Sequence, residues 1–185
     1  MNVRDVVRQV VAQLEAASAD YLLVGAVAYF VYGLPRATRD ADFVIAVEPA
    51  ALDRILAALP ASFEVDPQSR MELFTATMRW VVVIRGSALK VEFFLLGSDA
   101  HHQEEFRRRK RLRLPAIEID AWVATAEDLI IQKLRWARSK DLDDVRNILS
   151  VQGAALDFPY IESWCAQHGT LERLEEVRRS IPPGL

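Results

Sequence analysis

Residues 33–45 read GLPRATRDADFVI, a run in which two aspartates two positions apart lead into an apolar segment. Side chains of a β-strand alternate between faces, so Asp40 and Asp42 are expected on the same face of a sheet. Neighbouring carboxylates repel each other and favour a bound cation or a shared proton. A bare Asp-x-Asp is common, however, and taken alone it is better explained by two solvated residues at the start of a strand.

The flanking sequence favours the cation. Residues 21–26 read YLLVGA, which predicts a buried strand that breaks at Gly25 into a helix. A glycine there lets phosphate oxygens approach the amides of the helix start, although a tight turn without a ligand would also need Gly25. Downstream, Glu92 lies within the apolar run LKVEFFLL at 89–96. A glycine turn and three strand-borne carboxylates together predict a metal site that handles phosphates.

Magnesium suits such a site because it prefers oxygen ligands and shares its coordination shell with substrate phosphates. Two ions about 3.5–4 Å apart would clamp the attacking and leaving oxygens of a phosphoryl transfer.

The hydrophobic pattern predicts an α+β fold, with a mixed sheet flanked by helices and a helical C-terminal part. We expect an α/β core at 1–120 and a helical region at 121–185. The helices are expected at 2–17, 26–32, 49–59, 125–138, 140–150, 158–167 and 170–179. The strands are expected at 21–24, 40–47, 62–65, 72–77, 79–84 and 88–96, with a further short strand at 114–119.

Bulk composition excludes several classes of protein. The chain has 185 residues and a net charge of −3, which predicts no general affinity for nucleic acid or membranes. Its single cysteine, Cys165, allows no internal disulfide, and with three histidines a zinc site of nitrogen and sulfur ligands is improbable. No apolar run approaches transmembrane length, and the amphipathic N-terminus is unlike a signal peptide, so we expect a cytoplasmic protein.

Three further polar residues can be explained without a substrate. Arg36 could meet phosphate or pair with a carboxylate. Lys133 falls on the apolar stripe of its helix, where it must snorkel to solvent or meet an anion. Asp141 could simply favour a helix start through the helix dipole.

The segment 101–113 is polar and strongly basic. Its cluster Arg107–Arg113 could grip RNA or a triphosphate, or be neutralised on the surface by neighbouring acids. His101 and His102 have no third ligand nearby in the sequence and are expected in a loop.

These motifs together resemble the nucleotidyltransferase superfamily with the polymerase-beta-like fold. The matching residues are Val24-Gly25-Ala26, Asp40-Ala-Asp42 and Glu92. The longer string from Val24 to Asp42, with the Lys133 and Asp141 segments, looks like the AbiEii-type branch known from type IV toxin–antitoxin systems. Two positions depart from the pattern: Ala26 replaces a usual glycine or serine, and Glu92 replaces a frequent aspartate.

The resemblance implies a Mg²⁺- or Mn²⁺-dependent enzyme that moves a nucleoside monophosphate from a nucleoside triphosphate such as ATP to an acceptor hydroxyl. Asp40, Asp42 and Glu92 would bind metal, and Glu92 would also take the acceptor's proton. Lys133 and Asp141 would complete the active site, with Lys133 against the phosphates and Asp141 pairing with Lys133 or Arg135.

The resemblance also implies nucleotide binding by Gly25, Ala26, Arg36 and Thr38. An RNA end, a protein side chain and a small molecule are all candidate acceptors, and an antitoxin chain is a candidate partner. The alternative is a catalytically weak or inactive module that binds nucleotide or RNA, because Ala26 keeps the backbone amide but lacks a hydroxyl.

Overall fold

The computed structural model describes residues 1–34, 36–68, 70–72, 77–115 and 117–182. Its helices are α1 (Val3–Ala16), α2 (Gly25–Tyr29), α3 (Pro49–Ala57), α4 (Ala100–Arg108), α5 (Ala126–Trp136), α6 (Ser139–Gln152), α7 (Phe158–His168) and α8 (Leu171–Arg179), with a 3₁₀ turn at Gly153–Ala155. Its strands are β1 (Tyr21–Val24), β2 (Asp40–Ile45), β3 (Phe63–Val65), β4 (Arg70–Glu72), β5 (Thr77–Ile84), β6 (Lys90–Leu95), β7 (Lys110–Leu114) and β8 (Ile119–Val123).

The strands form one mixed sheet in the order β3-β5-β6-β2-β1-β8-β7, and β4 also pairs with β5. The central strand β2 runs antiparallel to β1 and parallel to β6. A parallel pair needs a long connection, and the chain between β2 and β6 supplies it with α3 and the strands β3 to β5. The predicted α+β class, with a mixed sheet and a helical C-terminal part, is confirmed.

Local sequence signals account for the helix starts. Asn2 and Asp5 form a reciprocal capping box at α1, and the Thr125 hydroxyl accepts a hydrogen bond from the Asp128 amide at α5. Pro49 occupies the first turn of α3, where its missing N–H costs nothing. Among the described residues, no helix is both long and apolar enough to cross a bilayer.

The core of the sheet is aromatic around β2. Phe43 is fully buried and stacks on Phe93 of β6 with ring centroids 5.7 Å apart. On the other side, Tyr21 of β1 lies 6.2 Å from the Phe43 ring. These contacts join the three central strands through one side chain per strand.

The backbone contacts divide the chain into two units. The first comprises Met1–Val27 and Ala37–Ala124, and the second comprises Ala28–Arg36 and Thr125–Leu185. The first unit contains the whole sheet with α1, α3 and α4, and the second contains α5 to α8.

Two expectations near the segment 101–119 are wrong. The segment 101–113 contributes to α4 and β7, and the expected strand at 114–119 is replaced by the ends of β7 and β8. His101 and His102 are 0% and 2% exposed on α4, so the loop assignment was wrong. The cause is tertiary: burial on one face of α4 does not show in a segment where charged residues outnumber apolar ones. The strand expected at 72–77 lies partly outside the described residues.

We predict that Phe43→Ala lowers the free energy of unfolding by about 3–5 kcal/mol, because it empties the space between Tyr21 and Phe93. Urea denaturation followed by circular dichroism measures the loss. Val83→Ala on β5 is the control, since Val83 is 40% exposed and its truncation should cost less than about 1 kcal/mol. Equal losses in the two variants would contradict the central role of Phe43.

Candidate active site

The register of β2 and β6 brings the acidic residues of the first unit together. Asp42 pairs with Glu92, and Asp40 pairs with Lys90. Partners in a parallel pair point to the same side of the sheet, and Asp40 shares that side because it lies two residues from Asp42. The side chain of Asp40 is 33% exposed, that of Glu92 is 12% exposed, and Asp42 as a whole is 9% exposed.

Gly25 lies directly against Asp42. Its φ is +65°, and a Cβ placed there would be 2.1 Å from Asp42 Oδ2. Both the backbone angle and the space therefore require glycine at the end of β1. The following residue, Ala26, is 7% exposed, so its methyl group is buried in the first unit.

Thr38 ties the preceding loop to the start of β2. Its Oγ1 lies 3.2 Å from both the backbone nitrogen and the carbonyl oxygen of Asp40, accepting from the first and donating to the second. This local turn sets the direction in which the chain enters the strand.

Two cations that the sequence reasoning missed hold Glu92. Lys90 Nζ lies 2.9 Å and Arg79 Nη1 lies 3.3 Å from Glu92 Oε1. Lys90 Nζ is also 3.9 Å from Asp40 Oδ1. Lys90 could have been found from its spacing, because residues i and i+2 of a strand share a face. Arg79 could not, since only the β5–β6 pairing brings it there.

The donor chemistry fits a hard divalent cation. Three carboxylates on one face of the paired strands β2 and β6 offer the oxygen ligands that Mg²⁺ prefers. Within the described residues, however, no three aspartate, glutamate, histidine or cysteine side chains are arranged so that they could bind one metal ion together. Metal binding by Asp40, Asp42 and Glu92 thus stays a prediction.

A separate charge cluster lies within the second unit, and Asp144 of α6 is its centre. Arg36 donates two hydrogen bonds to the Asp144 carboxylate at 2.7 and 2.8 Å, and Lys133 Nζ donates a third at 2.6 Å. The side chains of Asp144 and Lys133 are 0% and 6% exposed. Arg36 therefore pairs with a carboxylate, and Lys133 meets an anion inside the protein instead of snorkelling.

Asp141 both caps the start of α6 and lies near Lys133, as two of its predicted roles require. Its carboxylate accepts from Arg138 Nε at 2.6 Å and from the Arg138 backbone amide at 3.3 Å, which caps α6. It also lies 3.8 Å from Lys133 Nζ. Lys133 is thus held between two acids one turn apart on the same helix.

The charges of this cluster shift the ionisation of its members. Burial alone would raise the pKa of Asp144, but hydrogen bonds from Arg36 and Lys133 outweigh it and lower that pKa below its usual value. The bond to Asp144 raises the pKa of Arg36. Tyr29 lies under both cations, 5.9 Å from the Arg36 guanidinium and 5.7 Å from Lys133 Nζ, and burial raises its pKa.

The basic cluster of the first unit, Arg107–Arg113, is neutralised by acids. Most of its arginines form ion pairs with residues near in space rather than presenting a bare cationic surface. The pairs are Arg107 with Glu104, Arg109 with Asp20, Arg111 with Glu15 and Arg113 with Asp120.

A family model described as a nucleotidyltransferase of unknown function (DUF6036) matches residues 2–180. The chain belongs to this family. It is accordingly a nucleotidyltransferase, as its motifs predicted, whereas the AbiEii-type branch is not confirmed. No curated protein matches the chain in sequence.

Solved structures support the same fold. The solution structure of the antibiotic-resistance factor ANT(2'')-Ia is 12% identical, with a TM-score of 0.62 over 97% of this chain and 98% of that one. A crystal structure of ANT(2'')-Ia in complex with adenylyl-2''-tobramycin is 14% identical, with a TM-score of 0.58 over 90% and 96% of the two chains. An antigenic nucleotidyltransferase-like protein from Paracoccidioides brasiliensis is 16% identical, with a TM-score of 0.53 over 97% and 93%.

We predict that Gly25→Ala destabilises the protein and reduces nucleotidyl transfer together, because the new methyl group must displace the Asp42 carboxylate. Gly86→Ala is the matched control: Gly86 also has a positive φ, +73°, but a Cβ there meets nothing within 4 Å. The control should pay only the backbone cost of about 1–2 kcal/mol and keep its activity. Urea denaturation and a transfer assay on both variants test this, and equal effects would contradict the close approach to Asp42.

We predict that Asp144→Ala costs about 3–5 kcal/mol of stability, because it leaves the buried Lys133 ammonium without its nearest anion. The control is Asp143→Ala, one residue away on the exposed side of α6, where the carboxylate is 61% exposed and pairs with Arg146. That variant should lose less than about 1 kcal/mol. Comparable losses in denaturant titrations of the two variants would refute the special position of Asp144.

The lowered pKa of Asp144 also predicts a dependence on pH. Its stabilising contribution is complete above the unfolded-state pKa of about 3.9 and is lost as the pH falls through the lower folded-state pKa. Asp144→Asn should therefore flatten the acid limb of a stability–pH profile measured between neutral pH and the onset of acid unfolding. An unchanged acid limb would show that other carboxylates carry it.

Proposed function

We propose that the protein transfers a nucleoside monophosphate from a nucleoside triphosphate to a hydroxyl of an acceptor, with Mg²⁺ or Mn²⁺ as cofactor. One observation carries the proposal: Asp40, Asp42 and Glu92 share one face of two paired strands in a chain of a nucleotidyltransferase family. Gly25 lets the end of β1 pack directly against the Asp42 carboxylate, which holds this acid in place.

Asp40 and Asp42 are proposed to hold the metal, and Glu92 to contribute the third carboxylate. A bound divalent cation supplies charge neutralisation to the phosphates. Glu92 accepts the proton of the acceptor hydroxyl, whose oxygen bonds to the α-phosphorus as the bond to pyrophosphate breaks. Little covalent chemistry is asked of the protein, so positioning and electrostatics dominate the rate.

The remaining predicted residues bind or orient the nucleotide in this proposal. Gly25, Ala26 and Thr38 would line the phosphates through backbone atoms and a short hydroxyl. The part of Lys133 and Asp141 rests on the family resemblance, and it is supported by a buried ammonium that Asp144 and Asp141 hold in place. Arg36 would contribute indirectly, by holding the Asp144 carboxylate that binds Lys133.

The acceptor is proposed to be a hydroxyl of a small molecule, with ATP as donor. Support comes from the ANT(2'')-Ia complex, whose name gives an adenylyl-2''-tobramycin on the same fold. An RNA end is the less favoured acceptor, because the arginines at 107–113 are paired with acids. A toxin role with an antitoxin partner rests on the resemblance alone.

A second candidate is a nucleotide-binding module with weak or no turnover. The ion pairs of Glu92 with Lys90 and Arg79 favour it, because a carboxylate engaged by two cations is a poorer ligand and base. Nucleotide binding without transfer to any acceptor would identify this module.

We predict that Asp42→Asn lowers transfer by at least about 10²-fold, because it removes a charge at the proposed metal without changing the side chain's size. The assay incubates protein with α-³²P-labelled triphosphates, Mg²⁺ and panels of small hydroxyl compounds, RNA and protein. Asp53→Asn on the exposed face of α3 is the control and should keep wild-type activity. Undiminished label transfer by the Asp42 variant would refute the proposed role of the acidic pair.

A further inference from the structure

Lys90 is the cation that lies near two carboxylates of the acidic site. We propose that Lys90 is a tethered cation that occupies the place of a metal between Asp40 and Glu92, and that a divalent ion completes its site only when Lys90 is displaced. This inference rests on the proposed function and deepens it, because it concerns how the same site takes up its cofactor.

The geometry is that of a bridging cation. Lys90 Nζ is 2.9 Å from Glu92 Oε1 and 3.9 Å from Asp40 Oδ1, so a single ammonium contacts carboxylates on both β2 and β6. A metal ligated by the same two side chains would need the same space. Because the Lys90 side chain is 38% exposed, it can swing into solvent without unpacking the core.

Arg79 does not have this bridging position. Its Nη1 is 3.3 Å from Glu92 Oε1, and its side chain enters from β5, the strand beyond β6. Arg79 therefore contacts Glu92 from the β5 side, and it can keep this contact when Lys90 moves away. The displacement concerns one side chain only.

The charges explain why displacement should be coupled to substrate. Lys90 and Arg79 offset part of the negative charge of the carboxylates, which weakens the attraction for a free divalent ion. A nucleoside triphosphate brings several negative oxygens, on which the released ammonium can form charge-assisted hydrogen bonds. Metal and nucleotide should thus bind cooperatively, with the metal alone bound weakly.

The test is a Mn²⁺ titration without nucleotide, in which free Mn²⁺ is measured by electron paramagnetic resonance. Lys90→Met should bind Mn²⁺ about tenfold or more tightly than the wild type, because a positive charge beside the carboxylates is gone. Lys110→Met is the matched control: it removes the same charge from an exposed position on β7, and the strands β1 and β8 lie between β7 and β2. That control should bind Mn²⁺ like the wild type.

Two further variants keep the test decisive. Lys90→Gln retains a polar side chain of similar length and should show the same gain if the methionine variant folds poorly. Combining Lys90→Met with Asp40→Asn should remove the gain, since the freed carboxylate is then absent. With a non-hydrolysable triphosphate present, the difference between wild type and Lys90→Met should shrink.

Equal Mn²⁺ affinity of wild type, Lys90→Met and Lys90→Gln would overturn the inference, and so would a gain that survives Asp40→Asn. Either result can occur in a protein that still transfers nucleotide. Loss of the proposed function would show itself differently, as no label transfer by the wild type in the presence of Mg²⁺.

Discussion

The parallel pairing of β2 with β6 is the constraint on which the acidic site depends. Its register sets Asp42 beside Glu92 and Asp40 beside Lys90. A slip of one residue would turn one strand's acids to the other face of the sheet. The register is protected by the stacked pair Phe43 and Phe93, which occupies the adjacent step of the same ladder. The packing of these two buried rings therefore helps to keep Asp42 beside Glu92.

Buried and half-buried carboxylates are paired with cations in both units, and each of these cations belongs to the same unit as its carboxylate. In the first unit, Lys90 and Arg79 pair with Glu92 on the central strands of the sheet, and Lys90 also lies near Asp40. In the second, the fully buried Asp144 is tolerable only because Arg36 and Lys133 donate to it. Removing water from a carboxylate is costly, so acids that must be buried come with their own cations.

This arrangement has a consequence for a nucleotidyltransferase. Substrate phosphates are anions, and the cations nearest to the acids are already engaged with carboxylates in the protein without ligand. On the proposed function, phosphate and metal would exchange partners with these side chains rather than enter a bare site. Exchange of this kind favours the combined metal–nucleotide complex over either component alone.

Much of the fold was predictable because its signals are local. Alternation placed Asp40 and Asp42 on one strand face, and the capping residues Asn2 and Thr125 marked their helices. The loop expected at His101 and His102 was wrong, since the burial of these residues depends on what packs against α4. Periodicity within a short charged segment carries no such information.

The site shows the same division between local and tertiary information. By itself, the sequence determined the resemblance to nucleotidyltransferases, the glycine break after β1 and the shared strand face of Asp40 and Asp42, because each of these features is local. Only the tertiary structure decided which cation meets which acid: Arg79 reaches Glu92 across a strand pairing, and Arg36 reaches Asp144 from 108 positions away. Pairings between distant segments are set by strand register and helix packing, which no short window of sequence encodes.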